Sequence, residues 1–142
     1  MKWVTRERPK IDRIACPWLI ARFIDPAPEF LYVPPADVLR VAADTGATPY
    51  DIPGVDYGHH GEGCSFDAFM ERYRLVDDPA LVRLARIVRG ADTGRPDLAP
   101  ECDGLLAVSL GLALNYADDH ALLDQGMVIY DALYAWCRTR SE

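Results

Sequence analysis

The sequence lacks any apolar run approaching the roughly 18–20 residues needed to cross a bilayer. Its first residues, MKWVTRERPKIDR, contain no apolar signal core. Neither a membrane partner nor a secretory leader is therefore expected, and a cytoplasmic location is. Surplus positive charge is also missing. Fifteen Lys and Arg against 22 Asp and Glu leave a formal charge of −7, which argues against bulk attraction to nucleic acid. Basic residues gather only locally, as Arg6, Arg8, Lys10 and Arg13, and as Arg83, Arg86 and Arg89 at every third position. Cysteine is scarce, and Cys16, Cys64, Cys102 and Cys137 form no CxxC and no common zinc spacing. In the cytosol they should be reduced. There is no GxGxxG after a strand, no GxxxxGK[ST], no GxSxG and no HExxH. Internal repeats and low-complexity segments are absent too.

What remains is the composition of an ordinary globular chain. Half of the 142 residues are hydrophobic and 26% are charged, enough for one domain, residues 1–142, with a core that needs no staples. KWVT (2–5), FLYV (30–33) and TPYDI (48–52) read as strands. Residues 11–24 put Ile11, Ile14, Ala15, Trp18 and Leu19 on one helical face. Pro17 interrupts that pattern, so the helix is expected to start properly near Pro17, with Cys16 at its mouth. PADVLRVAADTG (35–46) reads as a helix closed by Gly46. Ser65 is a good N-cap for FDAFMERYRL. A further helix starts at Asp78-Pro79 and is followed after Gly90 by a long polar loop. GLLAVSLGLALNY (104–116) is apolar on nearly all sides, as a central buried helix should be, and the last helix keeps i, i+3/i+4 spacing from Leu122 to Cys137. The expected fold class is α+β, a small N-terminal β-sheet packed on a mainly helical bundle.

Chemistry-bearing residues concentrate in GHHGEGC, residues 58–64. Imidazole, thiolate and carboxylate can all ligate a borderline cation, so a divalent, zinc-like metal ion is the implied cofactor. Adjacent histidines in an extended segment point to opposite sides, so His59 and His60 share one ion only if the glycines twist the loop. His59 with Cys64, or His60 with Glu62, are the easier pairs. The alternative is a glycine turn in which one histidine caps the next helix. Asp92, at the end of RIVRGAD, lies just beyond a helix; two short helices folded as a hairpin would return it to the histidine loop. It could equally cap a turn with Thr93. His120 in DDH and Glu101 are explained by helix capping and first-turn placement. Cys16 near a helix N-terminus, with Arg13 close by, could hold a lowered pKa and act as a thiolate on an oxyanion, while Arg13 binds the anion. Against this stands a half-buried cysteine beside Trp18.

The segments KWVTRERPKIDRIACPWLIARFIDP, FLYVP, YDIPGV with GHHGEGCSFDAF, LARIVRGADT and DDHALLDQGMVIYDALYAWC resemble, in this order and over almost the whole chain, the chromate-resistance family. In that family the module is the C-terminal part of chromate-responsive regulatory proteins, and it also occurs as a separate small protein. The resemblance implies a role in chromate resistance or sensing, a stress response. In the longer relatives a preceding region is the expected DNA-contacting part. Two kinds of function follow. One is a module that binds a metal ion or oxyanion through His59, His60, Cys64 and Asp92, with Arg13 and Cys16 as a nearby anion or redox element. The other is a regulatory interaction module without turnover, whose apolar helices 104–114 and 118–138 offer a surface for a homodimer or another partner. A thiol-dependent oxidoreductase centred on Cys16 is a third.

Overall fold

Alternation along KWVTR places Trp3 and Thr5 on one side of an extended segment and Val4 on the other. All three are fully buried, as a strand covered on both faces requires. The computed structural model describes residues 1–140 and shows this segment as β1 (Lys2–Arg6), the middle of a three-stranded sheet. Both neighbours, β2 (Glu29–Val33) and β3 (Thr48–Pro49), run parallel to it, in the order β2-β1-β3. Trp3 faces the main core, whereas Val4 packs with Val38 and Ala47 on the opposite face. The small N-terminal sheet on a helical assembly is the α+β class expected from the sequence.

Parallel neighbours need crossover connections. The first is α1 (Asp12–Leu19), which runs into a π-helical turn over Ile20–Ile24, closed by Asp25 N–H on the Ile20 carbonyl at 2.8 Å. Its start differs from the expectation placed on Pro17. The helix begins at Asp12, Pro17 lies inside it, and Cys16 is not at its mouth but fully buried. An internal proline leaves the carbonyl four residues earlier without its helical donor. Here that carbonyl belongs to Arg13, and the Tyr32 hydroxyl donates to it at 2.9 Å. The second crossover contains α2 (Val38–Thr45), which ends at Gly46 in the left-handed region.

The remaining helices are α3 (Ser65–Arg72), α4 (Pro79–Thr93), α5 (Cys102–Asn115) and α6 (Asp119–Arg138). The core they share with α1 and the sheet is built on Trp18, Phe66, Phe69, Leu81, Leu84 and Tyr130. Three readings need correction. The N-cap of α3 is Cys64, whose N–H donates to Asp67 Oδ2 at 2.9 Å, and Ser65 is the first helical residue. Helix α4 runs on through Gly90 to Thr93, so Asp92 sits in its last turn rather than beyond it. Helix α5 is peripheral: Cys102, Leu105 and Ser109 are its buried residues, whereas Leu114 is 88% exposed. Its C-terminal carbonyls are held by Arg8, whose guanidinium donates to the carbonyls of Ala113, Tyr116 and Ala117 and pairs with Asp119. Among the described residues no helix is long and apolar enough to cross a membrane.

Candidate functional site

In a parallel sheet, ligand clefts form outside the carboxyl ends of the strands, where the chain enters the next helix. Four acidic and basic side chains meet there. Arg6 ends β1, Asp51 lies just past β3, Asp12 is the first residue of α1, and Asp92 arrives from the last turn of α4. The loop between β3 and α3 inserts His59 among them. That loop is anchored by Tyr57, stacked on Phe69 with ring centroids 4.2 Å apart. Its glycines have definite work. A Cβ on Gly58 would lie 2.8 Å from the Ile52 carbonyl oxygen, and Gly61 has φ of 61° in the turn that Gly63 N–H closes on the His60 carbonyl at 3.0 Å.

His59 Nε2 lies 3.0 Å from Asp92 Oδ2, 3.4 Å from Asp51 Oδ1 and 3.5 Å from Asp12 Oδ2. Asp12 is fully buried and Asp51 nearly so, whereas the imidazole is half-exposed. Each carboxylate has other support. Asp12 Oδ2 accepts the Ser65 N–H at 2.7 Å, at the start of α3. The backbone N–H of Asp12, at the start of α1, favours the Asp92 carboxylate. The N-terminus of α3 lends partial positive charge to the cluster. Asp51 Oδ1 accepts from the Ser65 hydroxyl at 2.6 Å, while its Oδ2 pairs with Arg6 at 3.1 Å and Arg13 at 3.5 Å. Asp12 Oδ1 has no hydrogen-bond partner among the described residues.

These surroundings shift the titrations. The hydrogen bond to Asp12 and the charges of Asp92, Asp12 and Asp51 raise His59 to about 9. Burial, then the charges of Asp12 and Asp51, raise Asp92 to about 7. Burial also raises Asp12. Local backbone strain adjoins the cluster. Ile11, directly before Asp12, has φ of 39°, and Asp51 has φ of 54°. Ile11 is held there by Ser109 of α5, whose hydroxyl accepts its N–H at 3.0 Å. The cleft in front of the cluster has a volume of about 400 Å³, and Arg6, Lys10 and Arg13 line it together with Asp51, His59 and Asp92.

The structure brings together His59, Asp92 and Arg13 from the residues singled out in the sequence. The adjacent histidines diverge. His60 turns away and its Nε2–H donates to the Asp56 carbonyl at 2.8 Å. Cys64 is buried at the N-terminus of α3, its thiol 3.4 Å from Asp67 Oδ2, and burial pushes that thiol up. Cys16 is fully buried, and its thiol is pushed well up by burial and the nearby carboxylates, opposite to the lowered value expected of a helix-mouth thiolate. His120 lies edge-on against Tyr32, with centroids 5.5 Å apart. Asp12 and Asp51 had not been singled out. Each follows a strand by a few residues, a signal that carries weight only once the strands are known to be parallel. Asp12, His59 and Asp92 offer ligand atoms that all lie within 4.8 Å of one another, a spacing fit for one metal ion.

The family described as "ChrB, C-terminal domain" matches residues 3–137 of the chain. Protein ChrB of Cupriavidus metallidurans is 36% identical over 133 residues, which cover 94% of this chain and 40% of that protein. The chain thus spans less than half the length of that relative. No solved structure matches.

Proposed function

The chain belongs to the chromate-resistance family of the ChrB C-terminal domain, and from that premise we propose that it binds a small inorganic ligand, a metal ion or an oxyanion, in the cleft at His59. One observation carries this reading. A half-exposed imidazole lies 3.0 Å from Asp92 at the floor of a cleft whose wall holds Arg6, Lys10 and Arg13. Carboxylates and imidazole suit a cation, and guanidinium and ammonium groups suit an anion. The inner role falls to His59 and Asp92, since His60 and Cys64 would have to leave their partners at Asp56 and Asp67 to reach the same ligand. A thiol-centred reaction at Cys16 gains no support from a side chain with no exposed surface and a raised pKa. The test is equilibrium dialysis with chromate, sulfate and Zn²⁺ against the tag-free protein. At least one ligand class should bind and weaken at least tenfold in His59→Gln. Binding by none of them, or equal binding by the variant, would end the proposal.

An interaction role is favoured by a different observation. On α5, Gly104, Ala107, Val108, Gly111 and Leu114 recur on one side, with no charged residue between Gly104 and Ala117, and Val108 and Leu114 are exposed. A second copy of the chain could lay the same helix against it, giving a homodimer. Light scattering should then show a dimer that Leu114→Glu dissociates; a monomeric wild type at high concentration rejects it.

A further inference from the structure

Resting on the reading that the cleft holds an inorganic ligand, we infer that Asp12, His59 and Asp92 form a site for one first-row divalent cation of the manganese, iron(II) or zinc class. The spacing comes first. Two ligands about 2.1 Å from one ion lie about 3.0 Å apart at a right angle and about 3.4 Å apart at the tetrahedral angle. His59 Nε2 stands 3.0 Å from Asp92 Oδ2 and 3.5 Å from Asp12 Oδ2. Both distances from His59 are those of neighbouring ligands on one ion, and all three ligand atoms lie within 4.8 Å of one another.

The second observation is independent of that spacing. Asp12 is fully buried, yet its Oδ1 has no hydrogen-bond partner among the described residues. A buried carboxylate oxygen left in this state is costly, and in folded proteins such atoms are satisfied by water or an ion. Charge points the same way. Arg6, Arg13 and the Ser65 hydroxyl serve Asp51. Asp12 and Asp92 have the His59 imidazole, which Asp51 faces as well, and Asp12 has the Ser65 N–H. A dication bound by both carboxylates and a neutral imidazole balances them.

Donor chemistry sets the class. Two oxygens and one imidazole nitrogen suit manganese, iron(II) and zinc, whereas ions that demand thiolates find none here. Cys64 Sγ is directed to Asp67, and Cys16 lies within α1. The three ligands come from the start of α1, the glycine-rich loop and the end of α4, so a bound ion cross-links three separate parts of the chain.

Titration calorimetry on the full, tag-free, chelator-stripped protein tests this, with MnCl₂, ZnCl₂ and potassium chromate titrated separately. One equivalent of Mn²⁺ or Zn²⁺ should bind. Asp92→Asn and Asp12→Asn should each weaken it at least tenfold, and His60→Gln and Cys64→Ser less than threefold. Asp12 is buried, so circular dichroism must first show that its variant folds; the partly exposed Asp92 supplies the second variant if it does not. Wild-type protein that binds neither cation overturns the inference, as does a folded Asp92→Asn that binds like wild type, or Cys64→Ser that weakens binding as much as Asp92→Asn. Chromate binding without cation binding overturns this inference and leaves the broader reading standing. Binding of neither overturns both.

Discussion

At the scale of single residues, His59 and Asp92 make stability depend on pH in one direction. The folded value of His59, about 9, lies above its ordinary 6.5. Its contribution is therefore complete below pH 6.5 and lost as pH rises through 9. The folded value of Asp92, about 7, lies above 3.8, so burial favours its neutral form and that contribution is lost as pH rises through 7. Both signs agree: chelator-treated protein should be less stable at pH 9.5 than at pH 6. Solvent screening of the half-exposed imidazole limits its share to on the order of 1 kcal/mol. Urea midpoints at the two pH values measure the difference, which should shrink in His59→Gln. A second single-residue effect involves no ionised group. Tyr32→Phe removes the donor to the Arg13 carbonyl that Pro17 leaves without a helical partner. For this partly buried carbonyl the loss should be about 1 kcal/mol, the low end of the cost of an orphaned acceptor, read from the urea midpoint. If the loss is no larger than that of an exposed Tyr→Phe change, Tyr32 does not sustain the proline in α1.

At the scale of elements, Asp67 ties two helices together. It accepts the Cys64 N–H at the start of α3 and receives a paired contact from Arg89 of α4 at 2.7 and 3.0 Å. Asp67→Ala should cost about 2 kcal/mol, from the lost cap and the lost two-pronged pair, and calorimetric unfolding would show it. Arg89 recurs with Arg83 and Arg86 at every third position, and that spacing alone does not reveal its partner. The same limit explains what was legible in this chain. Strands β1 and β2, the helix over 35–46 with its glycine stop, and the last helix follow from alternation, Gly46 and i, i+3/i+4 spacing. These signals are local. Helix α1 begins ahead of Pro17, and the compensation for that proline comes from Tyr32 on β2, which no local signal reveals. Helix α5 was misjudged because an apolar sequence reports what could be buried, not what lies next to it. In the site, His59 and Asp92 stood out by residue type and loop context. Asp12 and Asp51 did not, because their importance arises from strand direction, which no single segment encodes.

At the scale of the molecule, a cation at Asp12, His59 and Asp92 would bind the folded chain and not the unfolded one. Mass action then adds about 2.7 kcal/mol at a free concentration one hundred times Kd. For a chain of this size that is about 5–10 °C in Tm. Scanning calorimetry with and without MnCl₂ should show the rise in wild type and little of it in Asp92→Asn. An equal rise in both would place the ion elsewhere.

The middle strand of the sheet is also the first one made. Residues 2–6 must wait for residues 29–33 and then 48–49 before either neighbour exists. A nascent chain leaving the ribosome therefore carries its keystone bare, and the arch can close only when its outer stones have been delivered. Removing those few residues would take out the shared seam rather than an outer strand, and β2 and β3 would lose the strand to which both are hydrogen-bonded.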